Sequence, residues 1–271
     1  TRSDRDWSSD VCSSDLFNNG ADFDFIVKPA DENIIELEGL KKSFGSASIL
    51  KGVNLAVRKG ETIVVLGKSG SGKSVILQCI IGLIKPDEGV IKVFGKDINT
   101  LGEREFLDFR KRTGFLFQSG ALYDSMSVRE NLEFPLKRHY GLERKELNSK
   151  VENALREVGL ADAIDKMPSE LSGGMRKRIG LARTLILQPE ILLYDEPTTG
   201  LDPGTSREIS GLIRGVQKER RMTSVVITHD MECVRITADR IAVLKDGRFI
   251  KTGNYEEVKS DGDEFIKSFF E

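Results

Sequence analysis

A glycine-rich segment that ends in lysine and serine offers the clearest chemistry in this sequence. It reads Gly67-Lys68-Ser69-Gly70-Ser71-Gly72-Lys73-Ser74 and matches the phosphate-binding loop pattern. Its glycines allow successive N–H groups to turn toward phosphate oxygens, and a helix that begins near Gly72 adds the positive end of its dipole. We expect Lys73 to reach the β- and γ-phosphates of a nucleotide and the Ser74 hydroxyl to bind Mg²⁺.

Two adjacent carboxylates follow another apolar segment. Ile191–Tyr194 predicts a strand that ends at Asp195 and Glu196. In a chain with a phosphate-binding loop, Asp195 is expected to hold Mg²⁺ directly or through water. Glu196 is expected to orient or deprotonate the attacking water. Adjacent acids alone are usually a solvated surface pair, so this interpretation depends on the loop.

A third motif, Leu171-Ser172-Gly173-Gly174-Met175, precedes a segment with apolar residues at helical spacing. A serine and two glycines at a helix N-terminus expose a hydroxyl and main-chain N–H groups, so the motif predicts a second anion site. Taken alone, the same residues are a capped helix start, which is a common structural feature.

The elements that must position these motifs follow from apolar periodicity. Ile34–Leu37 and Val53–Val57 alternate as antiparallel strands do, whereas Thr62–Leu66 is typical of a buried parallel strand. Ser74–Ile84 predicts a buried helix, and Ser125–Leu187 is largely helical. Further strands are predicted at Ile191–Tyr194, Ser224–Thr228, Ile241–Leu244 and Arg248–Lys251. The pattern predicts an α/β fold with a mostly parallel sheet, interrupted by a helical insertion from roughly Gln118 to Ser169.

Composition excludes several classes of protein. The 271 residues include 41 basic and 43 acidic side chains, for a formal charge of -2, which gives no reason to expect general nucleic-acid binding. No apolar run approaches the ~20 residues that cross a bilayer, so a membrane role would need a partner. Cys12, Cys79 and Cys233 show no metal-ligand spacing, and we interpret them as reduced thiols of a cytosolic protein.

The two ends of the chain raise separate questions. Residues 1–20 are rich in Ser, Asp and Asn and differ from the rest of the sequence. We expect Thr1 to about Leu16 to be disordered and to derive from cloning or sequencing-adapter material. At the other end, Phe265–Glu271 carries three phenylalanines, and the sequence leaves open whether they pack on their own domain or on a neighbour.

Taken together, the motifs resemble those of the ABC-transporter ATPase family over about Ile34 to Phe270. The resemblance implies that Phe44 stacks on adenine and that Gln118 senses Mg²⁺, water and the permease. It also implies that His229 contacts the γ-phosphate and that the loop Thr199-Gly200-Leu201-Asp202 communicates between sites. The implied fold is a P-loop NTPase core in residues 34–271, with an N-terminal antiparallel β-subdomain and an α-helical subdomain at roughly 118–169.

The resemblance also implies a mechanism. Two copies would form a head-to-tail dimer, in which each ATP lies between Lys73 of one copy and Ser172, Gly173 and Gly174 of the other. ATP, with Mg²⁺, would link the two copies, and hydrolysis would loosen them. Phe44, Met175 and Thr199-Gly200 depart from residues frequent in the family, but none of these changes removes a charged catalytic group, so an active enzyme is expected.

The segment after Gln118 narrows the resemblance. Phe117–Val128, with Gln118-Ser119-Gly120-Ala121-Leu122 most characteristic, looks like the ATPase of Mce-type (Mla-like) phospholipid transporters. That resemblance implies a permease partner, a periplasmic Mce-domain lipid-binding protein and a small STAS-domain regulator. The expected location is the cytoplasmic face of a bacterial inner membrane.

Other functions remain open at this stage. The chain could serve another ABC importer or exporter, or could act on ribosomes or DNA. Against the latter, the chain has one ATPase domain, and we expect the basic runs Arg110-Lys111-Arg112 and Arg176-Lys177-Arg178 to be solvated helix faces. A binding module without enzymatic activity is disfavoured because Lys73, Asp195, Glu196 and His229 are all present.

Overall fold

The computed structural model describes residues 32–271. The expectations for residues 1–20 and for Cys12 therefore lie outside the described residues. The strands, in chain order, are β1 (Asn33–Phe44), β2 (Ala47–Arg58), β3 (Thr62–Leu66), β4 (Glu88–Val93), β5 (Lys96–Asp97), β6 (Thr113–Leu116), β7 (Ile191–Asp195), β8 (Thr223–Thr228), β9 (Arg240–Lys245) and β10 (Arg248–Gly253). The α-helices are α1 (Lys73–Ile80), α2 (Glu103–Arg112), α3 (Val128–His139), α4 (Arg144–Glu157), α5 (Gly173–Leu185), α6 (Pro203–Arg220), α7 (Met231–Thr237), α8 (Tyr255–Lys259) and α9 (Glu264–Lys267).

The first strands form an antiparallel sheet with the order β2-β1-β4-β5. Leu37 lies opposite Leu55 and Leu40 opposite Val53, so one face of the hairpin is apolar and buried. Because side chains alternate between the two faces of a strand, the predicted alternation requires this half-buried arrangement.

The second sheet is mostly parallel and has the order β10-β9-β3-β8-β7-β6, with β10 antiparallel at one edge. Leu66 pairs with Thr228, and Asp195 pairs with Ile227. Since parallel strands point the same way, this register brings the residues that follow β3, β7 and β8 to one edge of the sheet. The α/β fold expected from the sequence is confirmed.

Each face of this sheet is covered by a separate apolar cluster. Ile63 and Val65 of β3 face the antiparallel sheet and pack with Ile76 and Leu77 of α1. Val64 and Leu66 face the opposite way, toward α5, α6 and α7. The strand is therefore buried on both faces, which explains its unbroken apolar sequence.

A third cluster lies among α3, α4 and α5. Val151, Leu155 and Val158 pack there with Leu132 and Ile179, at the helical spacing that the sequence shows. Helix α3 begins with a capping box in which the Ser127 hydroxyl accepts from the Glu130 N–H. The subdomain limits of roughly 118–169 remain a prediction.

The predicted helix Ser74–Ile84 is too long, because α1 ends at Ile80. Gly82 adopts φ +67°, and a Cβ at that position would lie 2.5 Å from the Phe106 ring. A glycine in the left-handed conformation ends the helix and lets α2 approach closely.

The C-terminal residues pack on their own domain. Ile266 is 2% exposed, and Phe265, Phe269 and Phe270 lie against the cluster that contains Val258. Cys79 and Cys233 are buried and unpaired, and burial raises the pKa of each thiol to about 11, which keeps both in the inert protonated form. Over residues 32–271, no helix has the length and apolarity to span a membrane.

Candidate functional site

The glycine-rich loop connects the end of β3 to the start of α1. Gly70 has φ +78° and Gly72, which precedes the first helical residue, has φ +99°. A Cβ on Gly72 would lie 2.9 Å from Ile49 Cγ2, and one on Gly67 would lie 2.8 Å from the Leu244 carbonyl oxygen. The loop therefore requires glycine for its backbone conformation at Gly70 and Gly72, and for close packing at Gly67 and Gly72.

Lys73 lies in the first turn of α1 and is 5% exposed. Its Nζ donates to the carbonyl oxygens of Gly67 at 2.8 Å and of Lys68 at 3.0 Å. The same Nζ lies 3.5 Å from Glu196 Oε1. The ammonium is thus already inside the phosphate-binding loop, where the oxygens of a nucleotide could compete for it.

Ser74 and Asp195 meet at the edge of the sheet, where the Ser74 hydroxyl donates to Asp195 Oδ1 at 2.7 Å. Burial raises the pKa of Asp195; the Ser74 hydrogen bond lowers it and the nearby Glu196 charge raises it. Gln118 follows β6 and lines the same cleft. All three side chains offer oxygen atoms as metal ligands, and a neighbouring cation stabilises a buried carboxylate. The residues therefore fit Mg²⁺.

Glu196 follows β7, and its carboxylate is fixed by three side chains. Oε2 accepts from Thr199 Oγ1 at 3.0 Å and lies 2.9 Å from His229 Nδ1, while Oε1 faces Lys73. The backbone of Glu196 has φ +50°, a conformation that costs free energy for a residue other than glycine. Such a constrained carboxylate, 12% exposed at the cleft, is placed to act on a water molecule.

His229 follows β8 and contacts Glu196 in the lining of the cleft. Its side chain is 58% exposed, so it is free to contact a ligand. The next residue, Asp230, caps α7 by accepting from the N–H groups of Glu232 and Cys233. This cap fixes the chain direction immediately after the histidine.

Phe44 lines the cleft from the tip of the β1–β2 hairpin. Its ring is 48% exposed, and Lys42 Nζ lies 5.5 Å from its centre. The cleft has a volume of about 430 Å³, within the range of small-molecule sites. Its lining includes Phe44, Ser69, Gly70, Gly72, Lys73, Ser74, Gln118, Glu196 and His229.

The remaining predicted site residues fall into two groups. Gly67 and Ser71 belong to the phosphate-binding loop. Asp195 accepts the hydrogen bond from Ser74. Ser172, Gly173, Gly174 and Asp202 do not line this cleft. Within one chain, the residues predicted to bind ATP therefore lie in two separate places, the cleft and the region of Ser172 and Asp202.

Ser172 and Asp202 begin two neighbouring helices. The Ser172 hydroxyl accepts from the Met175 N–H at the start of α5, and Asp202 caps α6 through Thr205, whose hydrogen bonds lower the pKa of its carboxyl. A Cβ on Gly174 would lie 2.6 Å from Thr205 Cγ2, so glycine permits the helix starts to touch. Ser172, Gly173 and Asp202 are exposed.

The roles of two residues of this region were missed. Thr199 was assigned to the loop that ends at Asp202, but not as the residue whose hydroxyl donates to Glu196. The expectation that residues 176–178 form a solvated helix face is wrong for Lys177, which is 6% exposed. Lys177 lies three residues after Gly174, on the helix face that packs inward, and this spacing was the available signal.

Comparison with known proteins identifies the class. Residues 50–199 match the family model described as ABC transporter. The chain is 40% identical, over 224 residues, to the methionine import ATP-binding protein MetN of Rhizobium johnstonii, covering 83% of this chain and 62% of that protein. It is also 40% identical, over 235 residues, to the probable ribonucleotide transport ATP-binding protein mkl of Mycobacterium leprae, covering 87% and 68%.

Solved structures of ATP-binding cassettes also resemble this chain. The dimeric ATP-binding cassette MJ0796, in a post-hydrolysis state with ADP and Pi, matches with a TM-score of 0.75 and 33% identity, covering 81% of this chain and 98% of that one. The cbiO1 protein of Clostridium perfringens matches with a TM-score of 0.77 and 33% identity, covering 85% and 92%. The chain belongs to the ABC transporter family and carries its ATP-hydrolysing domain. It spans 62% of the length of the MetN relative.

Proposed function

We propose that this chain binds and hydrolyses Mg²⁺-ATP and that the cycle of binding and hydrolysis drives a membrane permease. The observation that carries the proposal is the fixed position of Glu196, between Lys73, Thr199 and His229, at the mouth of a phosphate-binding loop. A carboxylate held in this way serves as the base that orients or deprotonates water.

Each remaining residue of the cleft has a role in this proposal. The loop N–H groups and Lys73 bind the phosphates, and Phe44 offers its exposed ring to adenine. Ser74, Asp195 and Gln118 would hold Mg²⁺, which supplies charge neutralisation at the phosphate oxygens. His229, exposed and adjacent to Glu196, would contact the γ-phosphate.

The exposed Ser172, Gly173 and Asp202 support a shared site. We propose that they meet the nucleotide bound by a second copy, so that each ATP joins two chains head to tail. ATP then favours the joined state and ADP the separated state. The difference in free energy between these states is what can move a coupled permease.

The test of hydrolysis is a comparison of turnover. Glu196→Gln should bind ATP normally and hydrolyse it about 10²–10⁴-fold more slowly, the contribution typical of a general base. The matched control is Glu219→Gln, an exposed carboxylate on α6, which should behave as wild type. Near-normal turnover of Glu196→Gln would remove Glu196 from catalysis.

A permease is proposed as the partner because several large apolar side chains are exposed. Phe117 precedes Gln118 and is 39% exposed, and Tyr123 is 42% exposed. Leu83 and Leu107 are 51% and 47% exposed. Exposed apolar side chains mark a binding surface where they form a contiguous patch, and we propose that these residues contribute to such a surface. The chain would then work at the inner face of a bacterial inner membrane.

For the cargo, we propose phospholipid or a related lipid, in an Mce/Mla-type system with a periplasmic Mce-domain protein and a STAS-domain regulator. The support is the segment after Gln118, which looks like that class. Gly120 packs on α5, since a Cβ there would lie 3.0 Å from the Arg176 carbonyl oxygen, and the Ala121 carbonyl accepts from Arg183. The names of the relatives favour methionine or ribonucleotides as alternative cargoes.

Affinity purification from native membranes in mild detergent separates these cargoes. Recovery of an Mce-family permease and a lipid-binding protein, with phospholipid identified by mass spectrometry, would support the lipid proposal. Recovery of another permease would keep the ATPase mechanism and discard the lipid. Ribosomal or DNA-processing proteins in its place would overturn the proposed transport role.

A further inference from the structure

Lys177 has a side chain that the mechanism above does not use. It lies in α5, is 6% exposed, and donates from Nζ to the carbonyl oxygen of Thr199 at 2.6 Å and to that of Glu196 at 3.3 Å. Both described partners are main-chain carbonyls rather than carboxylates. The lysine is therefore directed at the backbone of one turn, the turn that carries the catalytic carboxylate.

We propose that Lys177 is a positioning residue, which holds the turn Glu196–Thr199 and so fixes the Glu196 carboxylate for hydrolysis. This inference rests on the proposed catalytic role of Glu196. It also assigns a connection between that turn and the start of α5, where Ser172 and Gly173 lie exposed.

The geometry of the turn explains why it needs support. Glu196 has φ +50°, which is unfavourable for a residue with a side chain. Inside the turn, the Thr199 N–H donates to the Glu196 carbonyl at 3.3 Å, and Thr199 Oγ1 donates to Glu196 Oε2 at 3.0 Å. Lys177 adds a donor to the carbonyls at both ends. Without it, the Thr199 carbonyl loses its shortest described contact, and the side chain that orients Glu196 is less well fixed.

Burial of a charged ammonium group costs more free energy than burial of an apolar side chain of similar size. Burial lowers the pKa of Lys177, and the charge of Glu196 raises it. Transfer of a charged group from water costs free energy unless hydrogen bonds replace its hydration, and a methionine of similar length would fill the volume at lower cost. The two carbonyl contacts are what a lysine provides at this position and methionine does not.

The helix start and the turn are also connected through Gly174. Gly174 lies one helical turn before Lys177 and packs against Thr205, whose N–H and hydroxyl donate to Asp202. A displacement of the start of α5 would therefore reach Glu196 through Lys177 and reach Asp202 through Gly174. In the proposed dimer, this places a contact to one ATP next to the carboxylate that serves the other.

The test compares two substitutions that differ in one donor group. Lys177→Met and Lys177→Gln have side chains of equal length, but only glutamine can donate to the carbonyls. We expect Lys177→Met to lower kcat about 10–100-fold, the scale of an ångström misplacement of a catalytic group, with KM for ATP within about 3-fold of wild type. Lys177→Gln should recover several-fold of the lost kcat.

Arg176→Met is the matched control, because it removes the same charge from the same helix at a partly exposed position. It should leave kcat and KM near wild type. Thermal unfolding is measured for each variant. If Lys177→Met does not fold, Lys177→Gln and Lys177→Arg are compared with wild type in the same assay.

The outcomes distinguish this inference from the proposed function. Glu196→Gln is assayed in parallel and should show its loss of about 10²–10⁴-fold. If it does, wild-type kcat in Lys177→Met, or equal losses in the Met and Gln variants, would contradict a positioning role for Lys177. A loss expressed only in KM or only in thermal stability would also contradict it. Normal turnover of Glu196→Gln would overturn both proposals together.

Discussion

At the scale of single residues, the site buries the Asp195 carboxylate, which lowers the stability of the protein when no cation is bound. Asp195 is 8% exposed, and burial raises the pKa of its carboxyl. Its described hydrogen bond comes from a neutral hydroxyl, that of Ser74. The charge of Lys73 lowers the pKa of Asp195, but by less than burial raises it. The ionised carboxylate is therefore a net cost to the native state, and a bound cation removes that cost.

The first prediction concerns Asp195→Asn in Mg²⁺-free buffer. Because the native pKa is raised, the native state keeps its proton to higher pH than the unfolded chain. The free energy of unfolding of the wild type therefore falls as pH rises from the ordinary aspartate pKa through the raised value. Asp195→Asn lacks this fall, so its Tm should exceed that of the wild type by a few degrees at neutral pH, and the difference should shrink in acid.

The same variant should lose Mg²⁺-dependent hydrolysis at least 10-fold, since an amide binds Mg²⁺ more weakly than a carboxylate. Thermal denaturation across pH, with and without Mg²⁺, measures the effect on stability, and ATP turnover with Mg²⁺ measures the loss of hydrolysis. A lower Tm than wild type at neutral pH, without Mg²⁺, would show that the ionised carboxylate is not a net cost.

The sequence was sufficient to predict roles for residues in motifs, but it was misleading for the burial of Lys177. Lys73 and Glu196 lie after apolar strands, in patterns whose chemistry is readable from residue types alone. Lys177 lies between two arginines, and charge alone suggested a solvated face. Its burial depends on carbonyls of a turn 19 and 22 residues further along the chain, a contact that only the packing of α5 on that turn creates.

At the scale of elements, close contacts between glycines position the loop after Gln118. A Cβ on Gly180, inside α5, would lie 2.7 Å from the Gly120 carbonyl oxygen and 3.0 Å from Gly120 Cα. Both neighbours are backbone atoms and cannot rotate away. The helix therefore needs glycine here, despite its cost in helix propensity.

The second prediction uses two glycines in helices. Gly180→Ala should lower the free energy of unfolding by about 1–3 kcal/mol, as overpacking does, and should reduce turnover because Gly120 is two residues from Gln118. Gly211→Ala is the control, since within residues 32–271 no atom beyond its own stretch of α6 would lie within 4 Å of a Cβ at this position; it should stabilise by about 0.5–1 kcal/mol. Chemical denaturation measures the free energy of unfolding of both variants. An equal change in this free energy in Gly180→Ala and Gly211→Ala would contradict the packing argument.

The limits of the elements could be predicted where apolar runs define them. The strand Thr62–Leu66 has the same bounds in the sequence analysis and in the structure, because every residue in it is buried. The end of α1 could not be placed, because Ile81 to Ile84 continue the apolar pattern while Gly82 turns the chain toward Phe106. Tertiary packing overrides periodicity at such positions.

At the scale of the whole molecule, the C-terminal residues connect the core to the phosphate-binding loop. Ile266 is buried, and Lys68 Nζ lies 5.1 Å and Lys245 Nζ 4.9 Å from the centre of the Phe265 ring. The sequence left the partner of this tail open, because three phenylalanines suit an internal or an external surface equally well.

The third prediction follows from this packing. Ile266→Ala should lower the free energy of unfolding by about 2–5 kcal/mol, the usual cost of truncating a buried isoleucine. Lys267→Ala, at the adjacent exposed position, should change it by less than about 0.5 kcal/mol. Urea unfolding gives both values, and a negligible effect of Ile266→Ala would show that the tail does not contribute to the folded core.

The central claim for the whole molecule is that each ATP is bound by two chains, through Lys73 of one and Ser172 of the other. The measurement is the mass of Glu196→Gln with Mg²⁺-ATP, by size-exclusion chromatography with light scattering. We predict a dimer with ATP and a monomer without it. Glu196→Gln combined with Ser172→Arg should bind ATP and remain monomeric. A Glu196→Gln protein that stays monomeric at saturating ATP, or a double variant that still dimerises, would contradict the account.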